Sequence, residues 1–294
     1  PAGQAEPHAP FAFVHHTVGH KAVVLAMVEQ RQVKHPRVFE STPHHLVALH
    51  AVAVVGNRDD ARILQRTNGR EFLSGKSLRD RAGAEHIHLR HLLRLLGAEV
   101  IKIESRRGDG FRNYGADRRF DGMSPAFIAA NVGKKSIALD LKDPADQDIA
   151  RRIVAKSDVL VENFRPGVIA RLGFGYERVR ESNPRIVYCS VSGYGQESPQ
   201  RDWPAIDNIV QATSGMMMLS GAEGDPPVRV GFPIVDTLTG QTAAVAILAA
   251  LVQRERTGEG AYIDVSMLDA TMAFMTSALT PFLITGETLK RLGN

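Results

Sequence analysis

The 294-residue chain has very little cysteine, and most of its length has no histidine. Because Cys189 is the single cysteine, no disulfide can form within the chain, and a reducing compartment, the cytoplasm, is expected. All 11 histidines lie between His8 and His91. A Ser–His–Asp or Cys–His catalytic arrangement built from residues beyond 91 is therefore excluded.

Long apolar runs and a strong charge imbalance are also missing. No apolar stretch approaches the ~20 residues that a membrane span needs, and the N-terminus lacks the pattern of a secretory leader. The formal net charge is only +4 and the basic residues are scattered, which argues against a nucleic-acid partner. The glycine spacing of a dinucleotide-binding fingerprint is absent as well.

Residues 1–81 form a histidine-rich N-terminal stretch for which we predict no regular order, since proline and other breakers interrupt it. His16 and His20 have the i, i+4 spacing that could hold a metal on a helix. No carboxylate or cysteine cluster accompanies them, so no metal site is predicted.

From residue 82 to 294 the pattern becomes regular, and we treat this part as one large domain. Strand and helix patterns alternate with short connections, which is typical of βαβ units. The predicted fold class is α/β, a largely parallel sheet with helices on both faces. Strands are predicted at 98–105, 135–141, 158–163, 185–193, 228–235 and 261–267, and helices at 85–97, 124–134, 143–158, 176–184, about 237–255 and 268–279.

Ligands of such sheets collect beyond the carboxyl ends of the strands. Asp236 lies at that edge, at the predicted start of a long helix. It is interpreted either as a helix N-cap or as a carboxylate nucleophile, and the two roles are compatible. The arginines and glycines of "IESRRGDG" (103–110) indicate phosphate binding or a solvated loop. In "VENFRPG" (161–167), Asn163 and Phe164 could contact a ligand amide and an aromatic base, or only form a turn.

Six motifs then occur in the order typical of the family III (CaiB/BaiF) CoA-transferases, and the chain resembles that family over about residues 92–294. The motifs are "LGAEVIKIE" (96–104), "KKSIALDLK" (134–142), "DVLVENFRPG" (158–167), "NPRIVYCSVSGYGQ" (183–196), "DNIVQATSGMM" (207–217) and "VDTLTG" (235–240) with "RTGEGAYIDVSMLDA" (256–270).

The resemblance implies transfer of coenzyme A between an acyl-CoA and a carboxylic acid, with Asp236 as the nucleophile. The intermediates would be an aspartyl–acyl anhydride and an aspartyl–CoA thioester, with no cofactor beyond CoA as substrate. It also implies a homodimer. The CoA contacts that it implies are Leu139, Asp140, Lys142, Asn163, Phe164, Arg165, Arg171 and Asp207, with Arg106 in place of an arginine that many members have after "KIE".

Two departures from the family keep alternatives open. Residues 1–91 show neither the strand nor the "GP" loop with which relatives begin, and relatives continue beyond the point where this sequence stops. A non-catalytic CoA-binding remnant is therefore one alternative. A 2-methylacyl-CoA racemase is another, although Ile206 stands where the racemases carry a catalytic histidine.

Overall fold

A single seven-stranded sheet organises the protein. The computed structural model describes residues 23–29, 49–55, 92–94 and 96–291. The strand order across the sheet is β4-β3-β1-β2-β5-β6-β7. The strands are β1 (Val23–Glu29), β2 (Leu49–Val55), β3 (Glu99–Glu104), β4 (Lys135–Ala138), β5 (Ser157–Glu162), β6 (Val187–Ser192) and β7 (Ala261–Ser266).

The α-helices alternate with these strands along the chain. Those with both ends described are α1 (Pro125–Asn131), α2 (Pro144–Val154), α3 (Val168–Arg171), α4 (Tyr176–Ser182), α5 (Asp207–Thr213), α6 (Ile234–Thr257), α7 (Met267–Phe274) and α8 (Thr276–Thr285). Residues 92–94 are helical as well. Short 3₁₀ turns lie at Gly110–Asn113, Arg118–Phe120 and Met216–Met218.

The α/β fold class predicted from the sequence is confirmed. Strand pairs β1–β3, β3–β4, β5–β6 and β6–β7 are parallel, and among the described strands only β2 runs antiparallel to its two neighbours. Every residue of β6 is buried, and so are five of the six in β5. A strand that is buried along its whole length must be covered on both faces, as parallel sheets are.

The fold differs from the sequence-based prediction in its helices and in its strands. Helices α3 and α5 were not predicted, and the single helix predicted at 268–279 is two helices, α7 and α8, bent by 81° at their junction. Strands β1 and β2 lie in a region for which no strand was predicted, although both are short apolar runs rich in valine. The predicted strand at 228–235 does not form. Its backbone N–H groups find other acceptors, since Val228 donates to the Met217 carbonyl and Val230 to the Gln211 side chain. Pro233, which has no N–H to donate, then leads into α6.

Helix α6 is fixed to the sheet near its C-terminal end. The buried guanidinium of Arg254 donates to the Asp158 carboxylate of β5 at 2.9 Å and to the Arg185 carbonyl at 3.2 Å. By length and composition this 24-residue helix would be able to cross a bilayer. About half of its apolar window is buried inside the fold, where Ile247 and Ala243 belong to the main hydrophobic core. We therefore assign α6 as a core helix of the sheet domain.

The carboxyl end of β6 lies in close contact with the residues that precede α5. A Cβ added at Gly193 would lie 2.1 Å from the Ala205 Cβ. Only glycine allows this approach, which brings the start of α5 against the sheet.

Replacing Gly193 with alanine is expected to lower the free energy of unfolding by ~1–3 kcal/mol, because the added methyl group must push α5 away from β6. Gly231→Ala is the matched control, since a Cβ there would meet no atom within 4 Å. Urea denaturation of both variants checks the prediction. Equal stability of the two variants would contradict it.

Candidate active site

The candidate site lies where the parallel strands end. Segments after β3, β4, β5 and β6 leave the sheet at one edge, because parallel strands present their carboxyl ends together. The first turn of α6 contributes Asp236, and α5 contributes Asp207. These two carboxyl groups are both buried, with residue exposures of 1 % and 7 %.

Asp236 is not the N-cap of its helix, so the capping interpretation of this residue was wrong. Helix α6 begins two residues earlier, at Ile234, and Asp236 lies within its first turn. Its Oδ1 atom is buried and has no hydrogen-bond partner among the described residues. A buried carboxyl oxygen without a partner is costly, and such atoms are common where a protein binds or transforms a ligand.

The pKa of Asp236 is raised well above its ordinary range. The main cause is burial, which disfavours the charged form, and the second is the nearby negative charge of Asp207. The hydroxyl of Thr239 does not stabilise the charged form of Asp236, because it donates to the Val235 carbonyl at 2.7 Å. In the free protein the resting form of Asp236 is therefore biased towards the neutral acid.

The actual cap of α6 is Asp207, which comes from a different helix. Its Oδ2 atom accepts the backbone N–H of Val235 at 2.8 Å and of Asp236 at 3.1 Å. Its Oδ1 atom accepts the side-chain amide of Gln211, whose own oxygen accepts the N–H of Val230 at 2.8 Å. Spacing along the chain could not reveal how these segments meet, because the bonds to Val230, Val235 and Asp236 span 19 to 29 residues.

The segment after β4 carries three of the predicted contacts, which the structure places in different surroundings. Leu139 is buried in the main core, while Asp140 and Lys142 are exposed at the edge of the sheet. The Asp140 carboxylate accepts the backbone N–H of Lys142 at 3.0 Å, which closes a tight turn. Of the three, only Asp140 and Lys142 present side chains to solvent.

The segment after β5 is held by buried hydrogen bonds. Asn163 donates its amide to the Val191 carbonyl, and its Oδ1 atom is buried without a partner among the described residues. The ring of Phe164 lies in the main hydrophobic core, which leaves no exposed face for stacking on a base. Asn163 Oδ1 therefore remains the ligand-binding candidate in this segment.

Arginine side chains gather over Gly167, at the end of the same segment. A Cβ at Gly167 would lie 3.3 Å from Nη1 of Arg171 and 4.0 Å from Nη2 of Arg201. Arg165, also predicted as a contact, is half-buried two residues before Gly167. Arg201 was not predicted from the sequence, because only the fold brings the loop after β6 next to α3. Two neighbouring guanidinium groups form a favourable site for a phosphate.

In the segment after β3, Arg106 is paired with an acid, whereas Arg107 is exposed. Arg106 donates to the buried Asp146 carboxylate at 2.7 and 3.2 Å, at the start of α2. The N–H of Asp109 donates to Glu104, and the Asp109 carboxylate accepts the ammonium of Lys102. Because Arg106 and Asp109 are already paired with other charges, this segment offers fewer groups to a phosphate than the arginines near Gly167.

A further buried acid, Glu162, ends β5. Its Oε2 atom accepts the N–H of Phe164 at 2.8 Å, and Ser190 of β6 hydrogen-bonds its carboxyl group. Burial is the main reason why the pKa of Glu162 is raised to about 7, and Asp264 on β7 adds to the effect. Glu162 was not predicted as a functional residue, since a carboxylate at a strand end has no local sequence signature.

No group of three or more His, Cys, Asp or Glu side chains suited to hold a metal occurs among the residues that the structure describes. His16 and His20, the pair considered for zinc, lie outside those residues.

Comparison with known proteins agrees with the family resemblance seen in the sequence. The model of CoA-transferase family III matches residues 89–294. Acetyl-CoA:oxalate CoA-transferase of Acetobacter aceti is 49% identical over 68% of this chain and 51% of its own length. Succinyl-CoA:glutarate CoA-transferase of Mus musculus is 41% identical over 67% of this chain and 45% of its own length. The chain thus spans about half the length of the curated relatives it matches.

A solved structure is similar as well. The crystal structure of a CaiB/BaiF family protein from Brucella suis matches with a TM-score of 0.69 and 33% identity. The match covers 73% of this chain and 58% of that one.

Replacing Glu162 with glutamine tests whether the raised pKa of Glu162 makes stability depend on pH. The folded state holds a proton that the unfolded chain releases between about pH 4.5 and 7, so wild-type stability falls as the pH rises through this window. Glutamine keeps both hydrogen bonds without the charge. The variant is expected to be more stable than wild type at pH 8, by on the order of 1–3 kcal/mol, and equal to it below pH 4.5.

Urea denaturation at pH 4.5 and pH 8 measures the difference. The exposed Glu223→Gln serves as the matched control and should change stability equally at both pH values. An effect of Glu162→Gln that does not depend on pH would contradict the prediction.

Proposed function

The chain belongs to CoA-transferase family III, and on this basis we propose that the protein transfers coenzyme A from an acyl-CoA thioester to a free carboxylic acid. The observation that carries the proposal is the buried carboxyl of Asp236, whose Oδ1 atom lies without a partner among the described residues. A carboxylate in a desolvated site is a stronger nucleophile than one in water.

The proposed reaction has two symmetrical halves. The Asp236 carboxylate attacks the thioester carbonyl, and CoA leaves as the thiolate, which gives an aspartyl–acyl anhydride. The thiolate then attacks the aspartyl carbonyl, so that the donor leaves as its carboxylate and an aspartyl–CoA thioester remains. The acceptor carboxylate attacks this thioester, expels the thiolate and forms a second anhydride. Attack of the thiolate on the acceptor carbonyl releases the new acyl-CoA and the free Asp236 carboxylate.

The electrostatics of Asp236 predict how the first step depends on pH. Only the charged carboxylate can attack, and because the pKa of Asp236 is raised in the free protein, this form is lost at a higher pH than for an ordinary aspartate. We therefore expect the first step to slow as the pH falls through the raised pKa.

For the substrates, we propose a short acyl-CoA donor and a small dicarboxylic acid acceptor. The support is that the similar proteins are named for acetyl-CoA with oxalate and for succinyl-CoA with glutarate. We propose that the CoA phosphates meet Arg171 and Arg201, and that Asn163 Oδ1 accepts an amide N–H of CoA. Arg165, Asp140 and Lys142 are proposed as further contacts.

We further propose that the protein acts as a homodimer in the cytoplasm and needs no cofactor beyond CoA as substrate. The single cysteine, which is buried in β6, agrees with a reducing compartment.

A covalent adduct on Asp236 is the most direct test. After incubation of the full-length protein with acetyl-CoA or succinyl-CoA, peptide mass spectrometry should find a CoA or acyl adduct on the peptide that contains Asp236. Asp236→Asn removes the nucleophile at constant size and should lower turnover with oxalate as acceptor by at least about a thousandfold.

The same variant should still bind CoA, which isothermal titration calorimetry measures. Adduct formation in the wild type should accelerate as the pH is raised through the elevated pKa of Asp236. An adduct that persists in Asp236→Asn, or CoA binding without an adduct from any donor, would contradict the proposed mechanism.

A further inference from the structure

We propose that Asp207 is a positioning residue that fixes the Asp236 carboxyl by capping helix α6, and that Gln211 holds Asp207 in the required orientation. This inference rests on the proposed function of Asp236. It assigns to Asp207 a role different from the CoA contact that the family resemblance implied.

The carboxylate of Asp207 is already occupied by protein donors. Oδ2 accepts two backbone N–H groups, those of Val235 and Asp236, and Oδ1 accepts the amide of Gln211. A carboxylate can accept all three bonds at once, since both of its oxygens are acceptors. A group that is 7 % exposed and bonded in this way is better placed to support its neighbours than to contact a ligand.

Helix α6 needs this outside acceptor. Its N-cap residue is Pro233, which provides no side-chain hydrogen bond to the free N–H groups of the first turn. Asp207 supplies the missing acceptor from α5 and binds the N–H of the residue that carries the nucleophile. Because the backbone of Asp236 is fixed directly, the direction of its Cα–Cβ bond is fixed as well.

Two further contacts keep α5 packed against the first turn of α6. Val210 of α5 packs with Val235 of α6 and Met267 of α7 in one buried cluster. Gln211 is fully buried and accepts the N–H of Val230, which ties the segment before α6 to α5. The hydrogen bonds therefore form one continuous chain from Val230 through Gln211 and Asp207 to Asp236.

The order of donors and acceptors along these hydrogen bonds suggests a rescue experiment. In Asp207→Asn, the new amide either faces the amide of Gln211, donor against donor, or turns away and leaves the N–H groups of α6 without an acceptor. The second substitution Gln211→Glu restores the pattern. The carboxylate that it introduces can accept both from the new amide at position 207 and from the N–H of Val230, and the pair again carries a single negative charge.

The test compares the three variants Asp207→Asn, Gln211→Glu and the double variant with the wild type, in the full-length protein. Rates are compared in the alkaline plateau of the pH profile, because removing the Asp207 charge also lowers the pKa of Asp236. There the rate of adduct formation on Asp236 from acetyl-CoA should fall on the order of a hundredfold in Asp207→Asn, since small misplacements of a reacting group have effects of this size. The rate of adduct formation in the double variant should be at least about tenfold higher than in Asp207→Asn. The affinity for CoA should stay within about twofold of wild type in all variants, because Asp207 does not contact CoA in this proposal.

Hydrogen exchange at the amides of Val235 and Asp236 gives a readout that does not depend on catalysis. Exchange should accelerate in Asp207→Asn and slow again in the double variant. If the wild type forms no adduct, the proposed function fails, while this exchange pattern still supports the capping role.

Two results would overturn the inference. One is amide exchange that Asp207→Asn leaves unchanged. The other is a loss of CoA affinity in Asp207→Asn that Gln211→Glu does not repair, which would make Asp207 a direct CoA contact.

Discussion

The geometry of the candidate site depends on one hydrogen-bonded carboxylate, that of Asp207. Helix α6 is the longest described helix, and its first turn follows a proline with no capping side chain of its own. Asp207 reaches it from α5 and binds two of its N–H groups. At its other end, Arg254 ties the same helix to β5. Between these two attachments, α6 carries Asp236 at a fixed place beside the sheet edge.

Burial is the main cause of the raised pKa values of the acids at this edge of the sheet. Asp236 and Glu162 are both nearly inaccessible, and burial is the first cause of the raised pKa of each. The two differ in their partners. Glu162 accepts a backbone N–H and a serine hydroxyl, whereas one oxygen of Asp236 has no partner among the described residues. A satisfied buried acid shapes the loop that follows it, while an unsatisfied one is available for a ligand or a reaction.

Most of the alternation of strands and helices from β3 to α6 was predictable, because period and turn residues are local properties. The short helices α3 and α5 were not predicted. The predicted start of α2 is confirmed, since Asp143 accepts the N–H groups of Ala145 and Asp146. The prediction for 228–235 was wrong, because its valines have β propensity but tertiary contacts with Met217 and Gln211 take its N–H groups. Strands β1 and β2 were not predicted, because the histidines and prolines of residues 1–81 obscured their short apolar patterns.

The sequence by itself determined the α/β class, the family and the identity of Asp236 as the candidate nucleophile, because these follow from short-range patterns and ordered motifs. Only the tertiary structure decided that Asp207 caps α6, that Arg201 joins Arg171 near Gly167, and that Arg106 is paired with Asp146. The physical reason is that a hydrogen bond or ion pair requires atoms within about 3 Å. Residues 28 to 40 positions apart reach that distance only when the sheet places their helices and loops side by side.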